Sequence, residues 1–215
     1  MRTDFDLLVF DLDGTLIDSA LDLALAVNAT RKHAGLGPIE HQLIYSYVGN
    51  GAPMLIKRAL GPEASEELNV ACLQYFLEYY RDHMLDNTVL YPGVREAVDG
   101  WHARDKTMAV LTNKPVRFSE GIVEGLGLSG HFQRVYGGNS FDTKKPDPYG
   151  LNLIMEELGF AAEKTLMVGD SSVDVLTARN AGTASAGVTF GLRPEDFKTH
   201  PPDILVDDMR DIVVA

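Results

Sequence analysis

The sequence of 215 residues contains one cysteine, Cys72, and no apolar run near the roughly 18 residues that a membrane-spanning helix requires. A single cysteine excludes a disulfide within the chain and any cluster of thiolate metal ligands. The chain also lacks a glycine–lysine pair followed by serine or threonine, so it carries no P-loop for nucleotide hydrolysis. These absences exclude a disulfide scaffold, a thiolate metal centre and a P-loop nucleotidase.

Positive charge is scarce as well, because 19 lysines and arginines stand against 31 aspartates and glutamates, a formal net charge of −12. Adjacent basic residues occur only as the doublets Arg31–Lys32, Lys57–Arg58 and Lys144–Lys145. With no basic stripe, we expect neither a nucleic-acid partner nor binding to an anionic membrane. The segment Met1–Asp6 reaches acidic residues without the apolar run of a signal peptide, so we expect a cytoplasmic protein. We expect a monomer or a small homo-oligomer.

Short apolar runs alternate with longer stretches of helical period, and this pattern predicts an α/β fold. The runs are apolar on both faces, which is typical of strands buried in a parallel sheet. We therefore predict a doubly wound, mainly parallel sheet with a Rossmann-like core. The predicted strands are Leu7–Phe10, Met108–Leu111, Arg134–Tyr136, Leu166–Val168, Ser185–Val188 and Ile204–Val206, with helices within 115–127, 148–159 and 171–181.

The interval between the first two predicted strands is too long for a single crossover helix. From Ser19 to about Leu85 it holds only helical patterns, at Leu21–Ala34, Glu40–Tyr47, Met54–Leu60 and Ala64–Met84. An inserted helical domain explains this interval. We predict a catalytic core formed by residues 1–18 and 86–215, with a helical cap formed by residues 19–85.

Four polar segments lie next to the predicted strands or helix starts of this core. They are Asp11-Leu12-Asp13-Gly14-Thr15, Thr112-Asn113-Lys114, Lys144-Lys145-Pro146-Asp147, and Gly169-Asp170 with Asp174 four residues later. In open α/β sheets, ligands bind at the carboxyl ends of the strands. We therefore expect these segments to form one site.

The residue types of that site suit phosphoryl transfer. The carboxylates of Asp11 and Asp170 can hold Mg²⁺, which prefers oxygen ligands. A carboxylate can attack phosphorus to give an aspartyl phosphate, and a second one can protonate the leaving oxygen. The Thr112 hydroxyl can hold phosphoryl oxygens, and Lys145 supplies fixed positive charge. Because the chain is strongly acidic, we expect activity to collapse without a divalent ion.

The four motifs, in this order, resemble those of the haloacid dehalogenase superfamily of phosphatases. The resemblance covers nearly the whole chain, and the helical insertion looks like the small α-helical cap of that superfamily. Members with dehalogenase chemistry lack an aspartate at the position of Asp13. The resemblance therefore implies a phosphatase.

The resemblance also implies a role for each matching residue. Asp11 would be the nucleophile and Asp13 the general acid and base. Mg²⁺ would be bound by Asp11, the Asp13 carbonyl and Asp170. The remaining roles fall to Thr112 and Asn113 on the phosphoryl oxygens, to Lys145 on the nucleophile and phosphoryl group, and to Asp174 in support of Lys145 and the metal site. Lys144 is the rival for the lysine role, but Lys145 is the one followed by proline, as in the family.

Three further segments resemble the subfamily that cleaves 2-phosphoglycolate, together with related sugar-phosphate phosphatases and mutases. They are Tyr47–Ala52, Tyr91–Val94 and Lys144–Pro148. In that subfamily the first segment is a cap loop directed at the active site, so Gly49 and Asn50 are candidate substrate-binding residues. A helix-to-helix turn is the alternative interpretation of this loop. The expected substrate is a small phosphate ester, with 2-phosphoglycolate as the leading candidate.

Two other functions remain open from the sequence. A phosphomutase would form the same aspartyl phosphate but return the group to a sugar. A receiver-like signalling domain would use a phosphorylated aspartate as its output, although such domains lack a helical insertion and need no carboxylate at the position of Asp13.

Overall fold

The structure is a computed structural model, and it describes residues 4–212. The elements follow one another in the order β1 (Leu7–Phe10), β2 (Ile17–Asp18), α1 (Ala20–His33), α2 (His41–Tyr45), α3 (Ala52–Leu60), α4 (Glu66–His83), β3 (Val89–Leu90), α5 (Val94–His102), β4 (Thr107–Leu111), α6 (Val116–Gly125), β5 (Arg134–Tyr136), α7 (Tyr149–Leu158), β6 (Thr165–Gly169), α8 (Ser172–Ala181), β7 (Ala184–Val188) and β8 (Ile204–Val206). No helix in this part of the chain is long and apolar enough to span a membrane.

Six strands form one parallel sheet in the order β5-β4-β1-β6-β7-β8. The chain runs outward from β1 through β4 to β5, then crosses back to β6 on the other side of β1. The order therefore reverses beside β1, and such switch points are where open α/β sheets bind ligands. Phe10 is in register with both Val110 and Val168, so the loops after β1, β4 and β6 begin side by side.

Alternate side chains of each central strand enter different cores. Leu8 and Phe10 pack with α5 and α6, whereas Leu7 and Val9 pack with α7 and α8 on the opposite face. All four of these β1 side chains are fully buried, which is why the strand is apolar at every position. Helices on both faces of a parallel sheet confirm the predicted doubly wound α/β fold.

Helices α1 to α4 form a third apolar cluster, here called the helical unit. Its core includes Val27, Ile56 and Phe76, and it also takes in Phe118 from α6. Cys72 is buried in the same cluster, as expected of a packed thiol. The helical unit is joined to the sheet through a two-stranded antiparallel ribbon of β2 and β3.

The strands of the main sheet lie within a residue of their predicted bounds, but the ribbon and α5 were not predicted. Strands β2 and β3 have two residues each, too short for any pattern of alternation. Helix α5 begins after Gly93 and buries Val94, Val98 and Trp101 against the sheet. Spacing by three and four residues is the signal that would have revealed this helix.

Candidate active site

Asp11 lies at the carboxyl end of the central strand and continues its hydrogen bonding. Its backbone N–H donates to the carbonyl of Val168 on β6, 2.9 Å away. Its carboxylate Oδ1 accepts a hydrogen bond of 2.7 Å from the N–H of Leu12. The carboxylate is also hydrogen-bonded by the Thr112 side chain. The side chain is therefore fixed at the switch point, with only 10% of it exposed.

Lys145 is the cation nearest to Asp11. Its ammonium Nζ lies 3.0 Å from Asp11 Oδ1 and donates to Asp174 Oδ1 over 2.6 Å. The loop that carries Lys145 is tied to the end of β4 by Asn113, whose Nδ2 donates to the Lys145 carbonyl and whose Oδ1 accepts from the Lys145 N–H. Lys144 instead lines an outer groove beside Arg117. Of the two lysines, Lys145 is the one brought to the acidic residues.

Asp174 owes its position to the start of α8. Its Oδ2 accepts hydrogen bonds from the N–H and the hydroxyl of Ser171, which forms a capping box at this helix. One oxygen of this carboxylate thus caps the start of α8, and the other accepts a hydrogen bond from Lys145. Asp170 is fixed separately, because its Oδ2 accepts from the N–H of Leu192 over 2.7 Å.

Asp11, Asp170 and Asp174 form an acidic cluster in which the nearest carboxylate oxygens all lie within 4.8 Å of one another. Burial, reinforced by Asp174, raises the pKa of Asp11 to about 6 even though Lys145 opposes the shift. Burial and the two neighbouring carboxylates raise the pKa of Asp170 well above its ordinary value. Burial acts to lower the pKa of Lys145, but Asp11 and Asp174 outweigh it, so that pKa is raised.

The donor set of this acidic cluster fits a hard divalent cation. Three buried carboxylates face one ammonium, so a divalent cation would supply the positive charge that Lys145 alone does not provide. Gly14 lets the loop pass close to the cluster, since a Cβ at this position would meet Asp170 Oδ2 at 2.2 Å. Its φ of +84° also favours glycine.

The Asp13 side chain does not join the acidic cluster. Its Oδ1 accepts from the hydroxyl of Ser19 over 2.5 Å, and both its oxygens accept from Lys114 Nζ, at 2.9 and 3.1 Å. The predicted contribution of Asp13 to metal binding is through its backbone carbonyl, and that stays a prediction. Its side chain is free of the metal role that Asp11 and Asp170 would share.

A small cavity of about 40 Å³ lies between the end of the sheet and the helical unit. Asp11, Asp13 and Lys114 face it from the sheet. Most of the remaining wall is apolar and is contributed by Leu23, Val48, Leu55, Phe76 and Phe118, together with the ring of Tyr80. The site is thus polar at the floor and mainly apolar at the roof.

The two predicted cap-loop residues have different surroundings. The carbonyl of Gly49 accepts a hydrogen bond of 2.9 Å from Asn113 Nδ2, and Gly49 lines the cavity. Asn50 is not among the lining residues, because its Oδ1 is engaged by Arg58 of α3. The structure therefore does not bring Asn50 to the site as predicted, since the loop turns its side chain toward the helical unit.

Thr112 and Asn113, both predicted to bind phosphoryl oxygens, also have different surroundings. Thr112 lines the cavity beside Asp11. The side-chain amide of Asn113 is fully used by the Lys145 backbone and Gly49, so it acts as a tether between loops. Any contact of Asn113 with phosphoryl oxygens is therefore left to its backbone N–H.

The sequence analysis assigned no role to Lys114, Tyr80 or Ser19. The ring of Tyr80 stacks on Phe76, and its hydroxyl accepts a hydrogen bond of 2.8 Å from Lys114 Nζ. Lys114 directly follows Thr112-Asn113 at the end of a buried strand. A lysine at that place was the available signal for an ion pair inside the site.

Comparison with known proteins gives a consistent result. A family model described as haloacid dehalogenase-like hydrolase matches residues 8–188. A phosphoglycolate phosphatase of Vibrio vulnificus strain YJ016 is 38% identical, over 99% of this chain and 96% of that protein. One of Vibrio cholerae is 40% identical, over 94% of this chain and 93% of that protein. The crystal structure of a predicted phosphoglycolate phosphatase from Haemophilus somnus superposes with a TM-score of 0.93 at 33% identity, covering 99% of this chain and 98% of that one.

The chain therefore belongs to the haloacid dehalogenase-like hydrolase family. It is an enzyme of the phosphatase class, as its motifs predict, and the receiver-like alternative does not hold.

Proposed function

We propose that this enzyme is a Mg²⁺-dependent phosphomonoesterase that hydrolyses a small phosphorylated carboxylic acid, with 2-phosphoglycolate as its substrate, through an aspartyl phosphate formed on Asp11. The observation that carries the proposal is the position of Asp11. This carboxylate stands at the switch point of the sheet, beside a buried ammonium and two further carboxylates, and faces a small cavity.

The acidic cluster supports the choice of metal. We propose that Mg²⁺ is held by the carboxylates of Asp11 and Asp170 and by the Asp13 carbonyl, with Asp174 in support. When bound, the ion would supply positive charge that offsets the repulsion between Asp11 and the phosphoryl oxygens. The surface acids behind the net charge of −12 are screened beyond about 8–10 Å at ordinary ionic strength, so the positive charges within the site are the ones that act on the phosphoryl group.

The reaction would proceed in two displacements. A carboxylate oxygen of Asp11 attacks phosphorus while the bond to the leaving oxygen breaks and Asp13 gives that oxygen a proton. Asp13 then takes a proton from water as the water attacks the phosphorus of the aspartyl phosphate. Inorganic phosphate leaves and the Asp11 carboxylate is restored. Lys145 holds Asp11 in line and faces the phosphoryl group throughout.

The helical unit and the relatives support the choice of substrate. We propose that the helical unit acts as a cap, formed by residues 19–85, over a core formed by residues 1–18 and 86–215. The cavity between the sheet and the helical unit is small, which favours a small leaving group such as glycolate. The Vibrio relatives are phosphoglycolate phosphatases by name.

The proposal is tested by measuring phosphate release from a panel of small esters that includes 2-phosphoglycolate, glycerol 3-phosphate and sugar phosphates. Each ester is assayed with Mg²⁺ and again with excess EDTA, and Asp11→Asn protein serves as the matched control. We expect kcat/KM for 2-phosphoglycolate to exceed the next ester by tenfold or more. We expect no turnover with EDTA or with the variant.

Three outcomes separate the parts of the proposal. If several esters are cleaved alike, the chemistry stands and the substrate assignment is wrong. If a phosphosugar is isomerised with little phosphate release, the enzyme is a phosphomutase. If no ester is cleaved with Mg²⁺ present, the proposed hydrolysis is wrong.

A further inference from the structure

Lys114 lies between Asp13, at the carboxyl edge of the sheet, and the helical unit. Its side chain is only 3% exposed, and its ammonium is paired with both oxygens of Asp13. It extends from the loop after β4, one residue beyond Asn113. A second buried lysine, distinct from Lys145, is thus assigned to the second aspartate of the motif.

Tyr80 reaches Lys114 from the other side. It belongs to α4 of the helical unit, and its hydroxyl lies 2.8 Å from Lys114 Nζ, which is also 4.5 Å from the centre of its ring. The ring is clamped between Phe76, with centroids 5.6 Å apart, and Phe118 of α6, at 5.4 Å. The hydroxyl therefore has a fixed position that depends on how the helical unit sits on the sheet.

The hydrogen-bond count decides what Lys114 does. An ammonium group has three N–H donors. Asp13 Oδ1, Asp13 Oδ2 and the Tyr80 hydroxyl accept all three. No donor is left for a carboxylate of the substrate, so the arrangement favours a role in orienting Asp13 over a role in binding the leaving group.

We propose that Lys114 is a positioning residue for Asp13, and that Tyr80 fixes Lys114 only when the helical unit is seated on the sheet. Closure of the site and alignment of the acid–base carboxylate are then one event. This inference rests on the proposed function, because it assigns Asp13 the proton transfer to and from the reacting oxygens.

The test uses the full-length protein with Lys114→Met, Tyr80→Phe and the double variant, and with Tyr79→Phe as a matched control on the same helix. Tyr80→Phe keeps the ring and its packing, so it remains informative if Lys114→Met folds poorly. We expect kcat for 2-phosphoglycolate to fall about 10²-fold in Lys114→Met, with KM nearly unchanged. We expect a fall of about fivefold in Tyr80→Phe. Adding Tyr80→Phe to Lys114→Met should change nothing further, because the hydroxyl acts through the lysine.

A comparison of three substrates separates positioning from other roles. Acetyl phosphate has a leaving group that needs no proton, whereas ethyl phosphate has a poor leaving group and no carboxylate. We expect Lys114→Met to lower kcat/KM for 2-phosphoglycolate and ethyl phosphate alike, and to leave acetyl phosphate nearly unaffected.

Other results would overturn the inference. Losses confined to 2-phosphoglycolate, seen mainly in KM, would make Lys114 a binder of the substrate carboxylate. Equal losses on all three substrates, or a lower melting temperature with unchanged kcat, would make the lysine a structural ion pair. A wild-type enzyme that cleaves none of the three substrates would instead contradict the proposed function itself.

Discussion

Asp22 accepts two hydrogen bonds from Thr88, one from its N–H and one from its hydroxyl, each 2.8 Å long, although 66 positions separate the two residues. Two more come from the N–H and side-chain amide of Asn87. Asp22 lies in the first turn of α1, and Thr88 directly precedes β3. One buried carboxylate therefore joins the chain entering the helical unit to the chain leaving it.

Asp22→Ala should destabilise the protein by roughly 2–4 kcal/mol, because it leaves the backbone N–H groups of Asn87 and the buried Thr88 without their acceptor. Denaturant unfolding followed by circular dichroism measures the change. Glu120→Ala, on the exposed face of α6, is the control and should shift the free energy of unfolding by less than about 0.5 kcal/mol. Equal effects of the two substitutions would show that the Asp22 bonds contribute nothing special.

Gly14 and Gly35 form a second matched pair. Both have positive φ, +84° and +72°, but a Cβ at Gly14 would meet Asp170 Oδ2 at 2.2 Å, whereas nothing lies within 4 Å at Gly35. Each alanine substitution costs about 1–2 kcal/mol of backbone strain. Only Gly14→Ala should also lower activity, by about 10²-fold, because it displaces Asp170. Phosphate release by both variants at saturating Mg²⁺ checks this, and a similar loss of activity in Gly35→Ala would refute the steric explanation.

The acidic cluster predicts an unusual pH dependence for the metal-free protein. The pKa of Asp11 is raised from an ordinary 3.8 to about 6 by burial and Asp174, and the pKa of Asp170 is raised in the same direction. A raised pKa means that the folded state binds the proton more tightly, so this contribution to stability is complete below about pH 3.8 and is lost as pH rises through 6. In EDTA, the melting temperature should therefore rise by a few degrees when the pH is lowered from 7.5 to 5.5.

Binding of Mg²⁺ should stabilise the protein more at pH 7.5 than at pH 5.5. At pH 7.5 the ionised cluster binds Mg²⁺, which raises the melting temperature, and at pH 5.5 protons compete and the increase shrinks. Asp170→Asn removes one of the crowded charges and should weaken both effects. A melting temperature that falls on acidification in EDTA, together with no Mg²⁺ effect at pH 7.5, would contradict this description of the cluster.

The main sheet was predictable because its central strands are short apolar runs buried on both faces, and longer helical patterns separate them along the chain. The grouping of Asp11, Asp170 and Lys145 was predictable for a related reason, since parallel strands end at one edge of the sheet. Asp174 was found only through the spacing of the motif. Its second bond, to Ser171, belongs to helix capping and could not be distinguished from catalysis by sequence.

Contacts between the sheet and the helical unit could not be predicted from the sequence. Nothing in the pattern around Tyr80 tells whether its hydroxyl meets water or a lysine 34 positions away, because a packing ring and an anchoring hydroxyl have the same spacing on the helix. The cap loop is the complementary case. Gly49 lines the cavity, but the direction of the Asn50 side chain depends on Arg58 of the next helix.

The most direct test of the central claim is to trap phosphate on Asp11. Enzyme mixed with 2-phosphoglycolate and Mg²⁺ is quenched in acid within milliseconds, and its peptides are examined by mass spectrometry. We predict one added phosphoryl group, on the peptide that contains Asp11, absent from Asp11→Asn protein and from samples with EDTA. Turnover without any phosphorylated peptide, or a phosphoryl group on another residue, would contradict the account.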